Sequence, residues 1–338
     1  AQAESAHEPD SGERLGVMPV DHGDLQHVGV GVALHTAALD GELRVEIPTW
    51  VPGDYTFFQL ARDVFEVKAE TAKGEALKVR RDGWQAWIVE GACDEVRLSW
   101  KAYGFEPEFG EPSGLVDNEF AILLGARYLH CPEALGACEV QYKLPERWKG
   151  SIHHPSGATD LGDDTWAYPS YEILLDTPVV MGDKTIIERD VEGTTFYWVF
   201  VDKGIGFEAR AEAFVDEVAE AARTFYRQFG SFPFEDYTFI LSLNPANDWG
   251  LEHLSSTMCG LDPEVFTDDT QFAIGVRVCA HELFHAWNVR RLRPRPLGEL
   301  ASRLKQGAFT EGLWVAEGFT RYYEFLSCTR SGTYTPQQ

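Results

Sequence analysis

The sequence predicts a multidomain protein, in which an N-terminal β-sandwich is followed by an α+β domain. Its 338 residues are a length typical of two domains. Apolar residues alternate with period two over the first half, whereas several stretches of the second half have helical periodicity. The polar opening of the chain indicates a loose tail. We therefore assign a tail to 1–22, a β-sandwich domain to 23–184 and an α+β domain to 185–338.

The first half contains many short segments with strand periodicity, separated by turn residues. One of them, ALKVRRDGWQAWIVEG, predicts a hairpin whose turn is Asp82-Gly83. Short strands at this spacing are typical of a β-sandwich. The predicted strand segments are HVGVGVALHT, GELRVEIPTW, the two arms of that hairpin, DEVRLSWKAYG, FAILLGARYLHC, CEVQYKLPERW and YEILLDTPVVMG.

The second half mixes strands with long helices. TTFYWVFVDKG and YTFILSLNP predict strands. FEARAEAFVDEVAEAARTFYRQF predicts a helix that stops at Gly230. DTQFAIGVRVCAHELFHAWNVRR predicts a second helix, with an aspartate near its start and Pro294 beyond its end. TEGLWVAEGFTRYYEFLSC predicts a third helix, so this half is α+β.

Composition and charge narrow the classes of partner. The formal charge of −25 argues against nucleic acid and anionic membranes, and the apolar runs are too short to span a bilayer. A charge of this size indicates either a well-solvated protein surface or an electrostatic field that attracts cationic ligands, such as peptides with free amines.

Six cysteines do not make a disulfide scaffold. Cys131 and Cys138 are close enough to pair, and we expect most of the others to be buried thiols. The compartment is left open, because a signal peptide removed before Ala1 would leave no trace.

The second predicted helix carries the motif HELFH. His281 and His285 lie four residues apart, so both imidazoles face one side of the helix and can bind one zinc ion. Glu282 can then reach a zinc-bound water as general base without being a ligand. A chance HExxH is expected in on the order of one such chain in fifty. The apolar neighbours Leu283 and Phe284 favour a buried metal helix over that alternative, and over two ordinary core histidines.

A catalytic zinc ion has three protein ligands and one open position. Glu317 follows on the next predicted helix and is the candidate for the third ligand. The alternative is a solvated glutamate. Trp314, Val315 and Phe319 make that helix partly buried, where an unpaired carboxylate would be costly and a metal would remove the cost.

Taken together, HELFHAWNVRRLRP, GLEHLSST and LWVAEGFTRYYE resemble the glycyl aminopeptidase family of zinc peptidases, which are gluzincins. WVPGDY and LLDTPVVMG resemble the β-domain that precedes the catalytic domain in that family. The resemblance implies a thermolysin-like catalytic domain after the β-sandwich. It implies one zinc ion per chain, bound by His281, His285 and Glu317, with Glu282 as general base. It also implies removal of N-terminal residues from peptides that have a free N-terminus, with glycine and alanine preferred.

The same resemblance assigns a substrate-binding strand. Glu252 matches the glutamate that takes the substrate's α-ammonium, and Gly250 would let a peptide approach the backbone. The alternative for Glu252 is a surface glutamate at a strand end. His253 either orients Glu252 or the substrate, or is an ordinary edge-strand histidine. Trp249 stands where the family usually has a glycine, and we expect it to narrow the pocket.

Residues beside the metal motif have open roles. The arginines of RRLRPRP pair with acidic neighbours or cap the helix end, and the resemblance also allows a role for Arg290 or Arg291 near the substrate's C-terminal side. We expect Tyr322 and Tyr323 to be packing residues, because the oxyanion-stabilising tyrosine of related aminopeptidases lies further past the third ligand.

The resemblance also implies that the chain lacks the C-terminal part of the family's chain, a helical segment often followed by a PDZ-type module. We expect such a segment as a partner and leave the activity of the 338-residue chain open. The first hypothesis is a zinc aminopeptidase. The alternatives are a zinc endopeptidase of the same clan and a peptide-binding scaffold with a vestigial zinc site, against which Glu282 argues because a scaffold needs no general base.

Overall fold

The structure is a computed structural model that describes residues 13–19, 29–36, 39–51, 53–55, 57–93, 95–104, 114–127, 135–243, 250–297, 310–335 and 337, with the backbone alone up to 40. Trp249 and Cys131 lie outside the described residues, so the predictions of a narrowed pocket and of a Cys131–Cys138 pair stay predictions. The thiols of Cys259, Cys279 and Cys328 are buried and free, as expected.

The first half is built from two sheets. Over the described residues, ten strands form one sheet in the order β11-β12-β10-β1-β2-β7-β4-β5-β6-β3, and three form a second in the order β13-β9-β8. The elements are β1 Glu13–Pro19, β2 Gly29–Thr36, β3 Leu39–Glu46, β4 Val64–Thr71, β5 Ala76–Asp82, β6 Ala86–Cys93, β7 Val96–Tyr103, β8 Leu115–Val116, β9 Phe120–Leu123, β10 Cys138–Tyr142, β11 Thr159–Gly162, β12 Thr165–Tyr168, α1 Tyr171–Leu175 and β13 Val179–Gly182.

Two details of this half differ from the prediction. The β5–β6 hairpin closes with the Asp82–Ala86 pair, so its loop has three residues, 83–85, and Gly83 supplies the positive φ of +69°. The segment YEILL is the helix α1 rather than a strand. Ser170 caps this helix, because its side chain accepts a hydrogen bond from the backbone N–H of Ile173.

The second half contains a five-stranded sheet in the order β14-β15-β16-β18-β17, in which β15, β16 and β18 run parallel. Against one face pack two helices, through buried residues such as Trp198, Phe239, Phe214 and Leu283. The three-stranded sheet of the first half packs through Val180 and its neighbours against the same sheet. The elements are β14 Thr185–Val191, β15 Thr194–Phe200, α2 Phe207–Phe229, β16 Asp236–Ser242, β17 Gly250–Glu252, β18 Ser256–Gly260, α3 Asp269–His285 and α4 Leu313–Ser331.

The helices begin and end at recognisable signals. The Asp268 side chain caps α3 by accepting from the backbone N–H groups of Thr270 and Gln271. Helix α2 ends at Gly230, which has the left-handed conformation, as predicted. Helix α3 is shorter than its pattern predicted and ends at His285, after which the chain turns. Among the described residues, no helix combines the length and the apolar character needed to cross a bilayer.

A histidine pair lies where the two halves meet. His153 Nε2 lies 2.9 Å from the Thr238 hydroxyl of β16. His154 Nδ1–H donates to the Pro155 carbonyl at 2.7 Å, and its Nε2 accepts from the Tyr168 hydroxyl at 2.5 Å. Burial lowers the pKa of His154 to about 4, so this ring is neutral in the folded chain.

The buried, neutral ring of His154 predicts that the fold loses stability in acid. Because the pKa of His154 is about 4 when folded and near 6.5 when unfolded, the unfolded chain binds more protons between these values. The stabilisation is complete above pH 6.5 and is lost as the pH falls to 4, at a cost of at most about 3 kcal/mol. Urea unfolding from pH 7 to 4 measures this loss, and His154→Gln should flatten the pH dependence. An identical pH dependence in H154Q would contradict the assignment.

Candidate metal centre

Helices α3 and α4 bring three predicted ligands together. His281 Nε2 and His285 Nε2 lie 3.0 Å apart. The Glu317 carboxylate places Oε2 at 3.3 Å from His281 Nε2 and Oε1 at 3.6 Å from His285 Nε2. Two atoms that each lie about 2.0–2.1 Å from a tetrahedral zinc ion are about 3.3–3.4 Å apart. The three donors could therefore hold one divalent cation.

His285 is held in the tautomer that can bind a metal. Its Nδ1–H donates to the Asn288 carbonyl at 2.7 Å, which leaves the Nε2 lone pair facing Glu317 and His281. Burial and the neighbouring His281 lower the pKa of His285 to about 3, so the ring is neutral. The Asn288 amide in turn donates to the Ala316 carbonyl at 2.9 Å. The turn after α3 thus orients one ligand and ties α3 to the helix that carries the third.

His281 is oriented by a carboxylate that was not predicted from the sequence. Its Nδ1 makes a short hydrogen bond with Glu324, which is fully buried and accepts from Arg277 Nη1 at 2.6 Å. Burial acts to lower the pKa of His281, but the hydrogen bonds with Glu317 and Glu324 outweigh it and raise the pKa to about 10. A proton on this ring thus supplies the positive charge that a metal would replace. The signal was present, because Glu324 follows Glu317 by two helical turns.

The predicted general base points toward the same place. Glu282 is buried, and its Oε2 has no hydrogen-bond partner among the described residues. Burial raises its pKa to about 7, although His281 acts in the opposite direction. The backbone of β17 lies directly against this carboxylate. A Cβ atom at Gly250 would lie 2.2 Å from Glu282 Oε1, so any larger residue there would displace the Glu282 carboxylate.

Glu252 lies beside the metal ligands and is buried, not on the surface. Its Oε1 is 3.9 Å from His285 Nδ1 and has no hydrogen-bond partner among the described residues. Burial, with Glu282 and Glu317 nearby, raises the pKa of Glu252 well above its usual range. Glu252, Glu282 and His285 form a second set of potential ligand atoms within 4.8 Å of one another. The space between Glu252, Glu282 and His285 therefore favours the binding of a cationic group.

Arg290 and His253 meet at an aspartate from the first half. Asp176 Oδ1 accepts from Arg290 Nη2 at 2.6 Å and lies 3.3 Å from His253 Nδ1. Asp176 Oδ2 accepts from the backbone N–H of Leu254 at 2.8 Å. All three charged or titratable side chains are buried, so this cluster fixes β17 and the turn after α3. The sequence reading missed Asp176, and the substrate roles of Arg290 and His253 stay predictions.

The remaining candidates lie further from the ligands. Arg291 Nη1 donates to the carbonyls of Leu254 and Ala286, at 2.9 and 2.8 Å. Tyr323 stacks on Phe284 with ring centroids 4.6 Å apart, which agrees with a packing role. Tyr322 is 61% exposed and contacts Tyr323 edge-on, so its expected packing role is only marginal.

One more side chain, missed from the sequence, reaches the site from the first half. The Tyr55 hydroxyl donates to Glu317 Oε1 at 2.8 Å. Gly53, in the same segment, has a φ of +92°, and a Cβ atom there would lie 2.7 Å from the Glu252 carbonyl oxygen. The only signal in the sequence was the resemblance of WVPGDY to the family's β-domain, which names no role for the tyrosine.

Comparison with known proteins identifies the family. Residues 18–183 match the family model described as Peptidase M61 N-terminal domain, and residues 275–338 match that described as M61 glycyl aminopeptidase. The chain belongs to the M61 glycyl aminopeptidase family. The resemblance seen in its motifs is thereby confirmed, and the second match contains His281, Glu282, His285 and Glu317.

A solved structure has a similar fold. An aminopeptidase N family protein from Idiomarina loihiensis superposes with a TM-score of 0.85 at 22% identity, over 95% of this chain. At that identity the likeness shows the fold alone. The chain spans 55% of the length of that relative. No match was found among curated proteins.

The hydrogen bond between Glu324 and His281 predicts how substitution of Glu324 changes the affinity of the site for zinc. Glu324→Gln keeps the size of the side chain but removes the charge that strengthens the imidazole as a ligand. We expect zinc affinity to fall by about 10–100-fold, measured by competition with a fluorescent chelator. Glu188→Gln, on the exposed side of β14, is the matched control. Equal affinity in E324Q and E188Q would show that Glu324 does not support the ligand.

Proposed function

We propose that the protein is a zinc-dependent aminopeptidase that hydrolyses the N-terminal bond of peptides with a free N-terminus, with glycine or alanine preferred as the first residue. One observation carries this proposal. The donor atoms of His281, His285 and Glu317 lie 3.0–3.6 Å apart, next to the Glu282 carboxylate, whose Oε2 has no hydrogen-bond partner among the described residues. Family membership supports the same conclusion, and the preference for small residues comes from the family's name.

The chemistry divides among the residues of the site. A zinc ion held by the three ligands would supply a Lewis acid that polarises the scissile carbonyl and makes water acidic. Glu282 accepts the proton of the attacking water and passes it to the leaving amine. Its buried setting suits this role, because burial raises its pKa to about 7, where the carboxyl can both take and give a proton.

Glu252 supports an exopeptidase. A buried carboxylate oxygen such as Glu252 Oε1, which has no donor among the described residues, is costly unless a cation joins it. The α-ammonium of a peptide is such a cation. Glu252 Oε1 lies 3.9 Å from His285 Nδ1, so an ammonium bound to Glu252 would lie beside one of the proposed metal ligands. The cut would then fall after the first residue. The same argument disfavours an endopeptidase, which must accept a chain without that charge.

We also propose the finer architecture that the sequence predicted. The first half, 23–184, would be a β-sandwich domain preceded by a tail at 1–22, and 185–338 would be a thermolysin-like catalytic domain. The support for the sandwich is the shared core in which Leu123 and Val179 of the three-stranded sheet pack with Leu98 of the ten-stranded sheet. The support for the catalytic domain is the metal helix α3 packed on a mixed sheet. As the resemblance to the family implies, a C-terminal helical segment or PDZ-type module is proposed as a partner of the catalytic domain.

Substitution of the general base tests the proposal. Glu282→Gln keeps the three ligands, so we expect one zinc ion per chain by metal analysis. Removal of the proton acceptor should lower the hydrolysis of Gly- and Ala-arylamides by at least about 100-fold. E188Q is again the control. Full hydrolysis by E282Q would contradict the mechanism, and a wild-type chain that binds no zinc would contradict the site.

The role of Glu252 predicts the response to a blocked N-terminus. N-acetylated peptides lack the charge that Glu252 binds, so we expect them to be cut at least about 100-fold more slowly than the same peptides with a free amine. Glu252→Gln should raise KM for the free peptide and reduce this discrimination. Comparable cleavage of blocked and free peptides would favour the endopeptidase instead.

A further inference from the structure

We propose that Tyr55 is a positioning residue of the metal centre, whose hydroxyl holds the Glu317 carboxylate in the orientation that a metal ligand needs. This inference rests on the metal site proposed above. It assigns to the first half of the chain a part in metal binding, through one side chain that is not itself a ligand.

The hydrogen bonds of Glu317 carry the argument. Among the described residues, the Glu317 carboxylate accepts a hydrogen bond from Tyr55 on Oε1 at 2.8 Å, and its Oε2 lies 3.3 Å from His281 Nε2. His281 Nε2 cannot donate to Glu317 once its lone pair binds a metal. The hydroxyl of Tyr55 is then the remaining side-chain donor to this ligand among the described residues.

Such a donor is needed because Glu317 is otherwise loosely held. Its side chain is 37% exposed, whereas the side chain of His285 is 2% exposed. The two histidines have their own fixed partners, Asn288 for His285 and Glu324 for His281. Tyr55 completes this pattern, in which each ligand is oriented by one further hydrogen bond.

The segment that carries Tyr55 is anchored in the first half. The Trp50 indole N–H donates to the Asp54 carbonyl at 2.7 Å, and the Phe58 N–H donates to the Thr49 carbonyl at 2.8 Å. Trp50 is buried in the core of the first half. Gly53 at φ +92° packs against the Glu252 backbone, where a side chain would collide. The hydroxyl is therefore presented by a fixed turn rather than by a free loop.

The surroundings keep Tyr55 a donor. The Tyr55 hydroxyl lies 2.8 Å from Glu317 Oε1, and because a carboxylate oxygen can only accept, the phenolic O–H is the donor of this bond. A phenolic O–H that stays neutral can donate to Glu317 without adding charge to a site already rich in carboxylates.

Zinc affinity tests the proposal on the metal-free protein. Tyr55→Phe removes the hydroxyl and keeps the ring, and Tyr322→Phe removes a hydroxyl from the exposed face of α4 as the matched control. The dissociation constant for zinc is measured by competition with a fluorescent chelator, at a temperature where circular dichroism shows both chains folded. We expect a rise of about 10–100-fold in Y55F and less than twofold in Y322F. An unchanged dissociation constant in Y55F would overturn the proposal.

A double-mutant cycle separates positioning from a general structural role. If Tyr55 acts through Glu317, then Y55F should change zinc affinity less than twofold in the Glu317→Ala background, which leaves the hydroxyl no acceptor at position 317. A full, additive loss in the double mutant would overturn the proposal, even if Y55F lowers the Tm of the metal-free chain. Failure of the wild-type chain to bind zinc would instead refute the proposed function, so the two failures are distinguishable.

Discussion

The site depends on the register of two helices that come from different parts of the sequence. Helix α3 carries His281 and His285, and helix α4 carries Glu317. Their donor atoms meet only at one relative position of the two helices along their axes. Two contacts fix that relative position. Glu324 on α4 binds both His281 and Arg277 of α3, and Asn288 after α3 binds the backbone of α4. A shift of one turn would move the Glu317 carboxylate by about 5.4 Å and destroy the ligand set.

Charge is the second constraint on this region. Four glutamates, Glu252, Glu282, Glu317 and Glu324, lie within or beside the site, and three of them are buried. Arg277 offsets the charge of Glu324, and Arg290 is engaged with Asp176. The remaining carboxylates gather around the histidines with no lysine or arginine hydrogen-bonded to them among the described residues. Such a site is costly when empty of cations, and a divalent ion with a substrate ammonium would relieve that cost.

The sequence predicted the parts of this site that are encoded locally. HELFH on an apolar helix predicts two ligands and a base, because residues four apart share a helix face. Glu317 could be found because its helix is strongly periodic. Tyr55 and Asp176 could not, because they reach the site through tertiary packing of the first half, which no local period encodes. The helix YEILL was predicted as a strand because a short apolar run has no distinguishing period. Asp176 follows that helix directly, so the error concealed its role.

The most direct test of this account is the X-ray absorption spectrum of the chain loaded with one equivalent of zinc. We expect two imidazole ligands and one carboxylate, with nitrogen and oxygen at about 2.0–2.2 Å and no sulfur. In the Glu317→Gln variant the carboxylate contribution should fall while both imidazoles remain. A spectrum with thiolate sulfur, or one without imidazole, would contradict the convergence of α3 and α4 on a single metal ion.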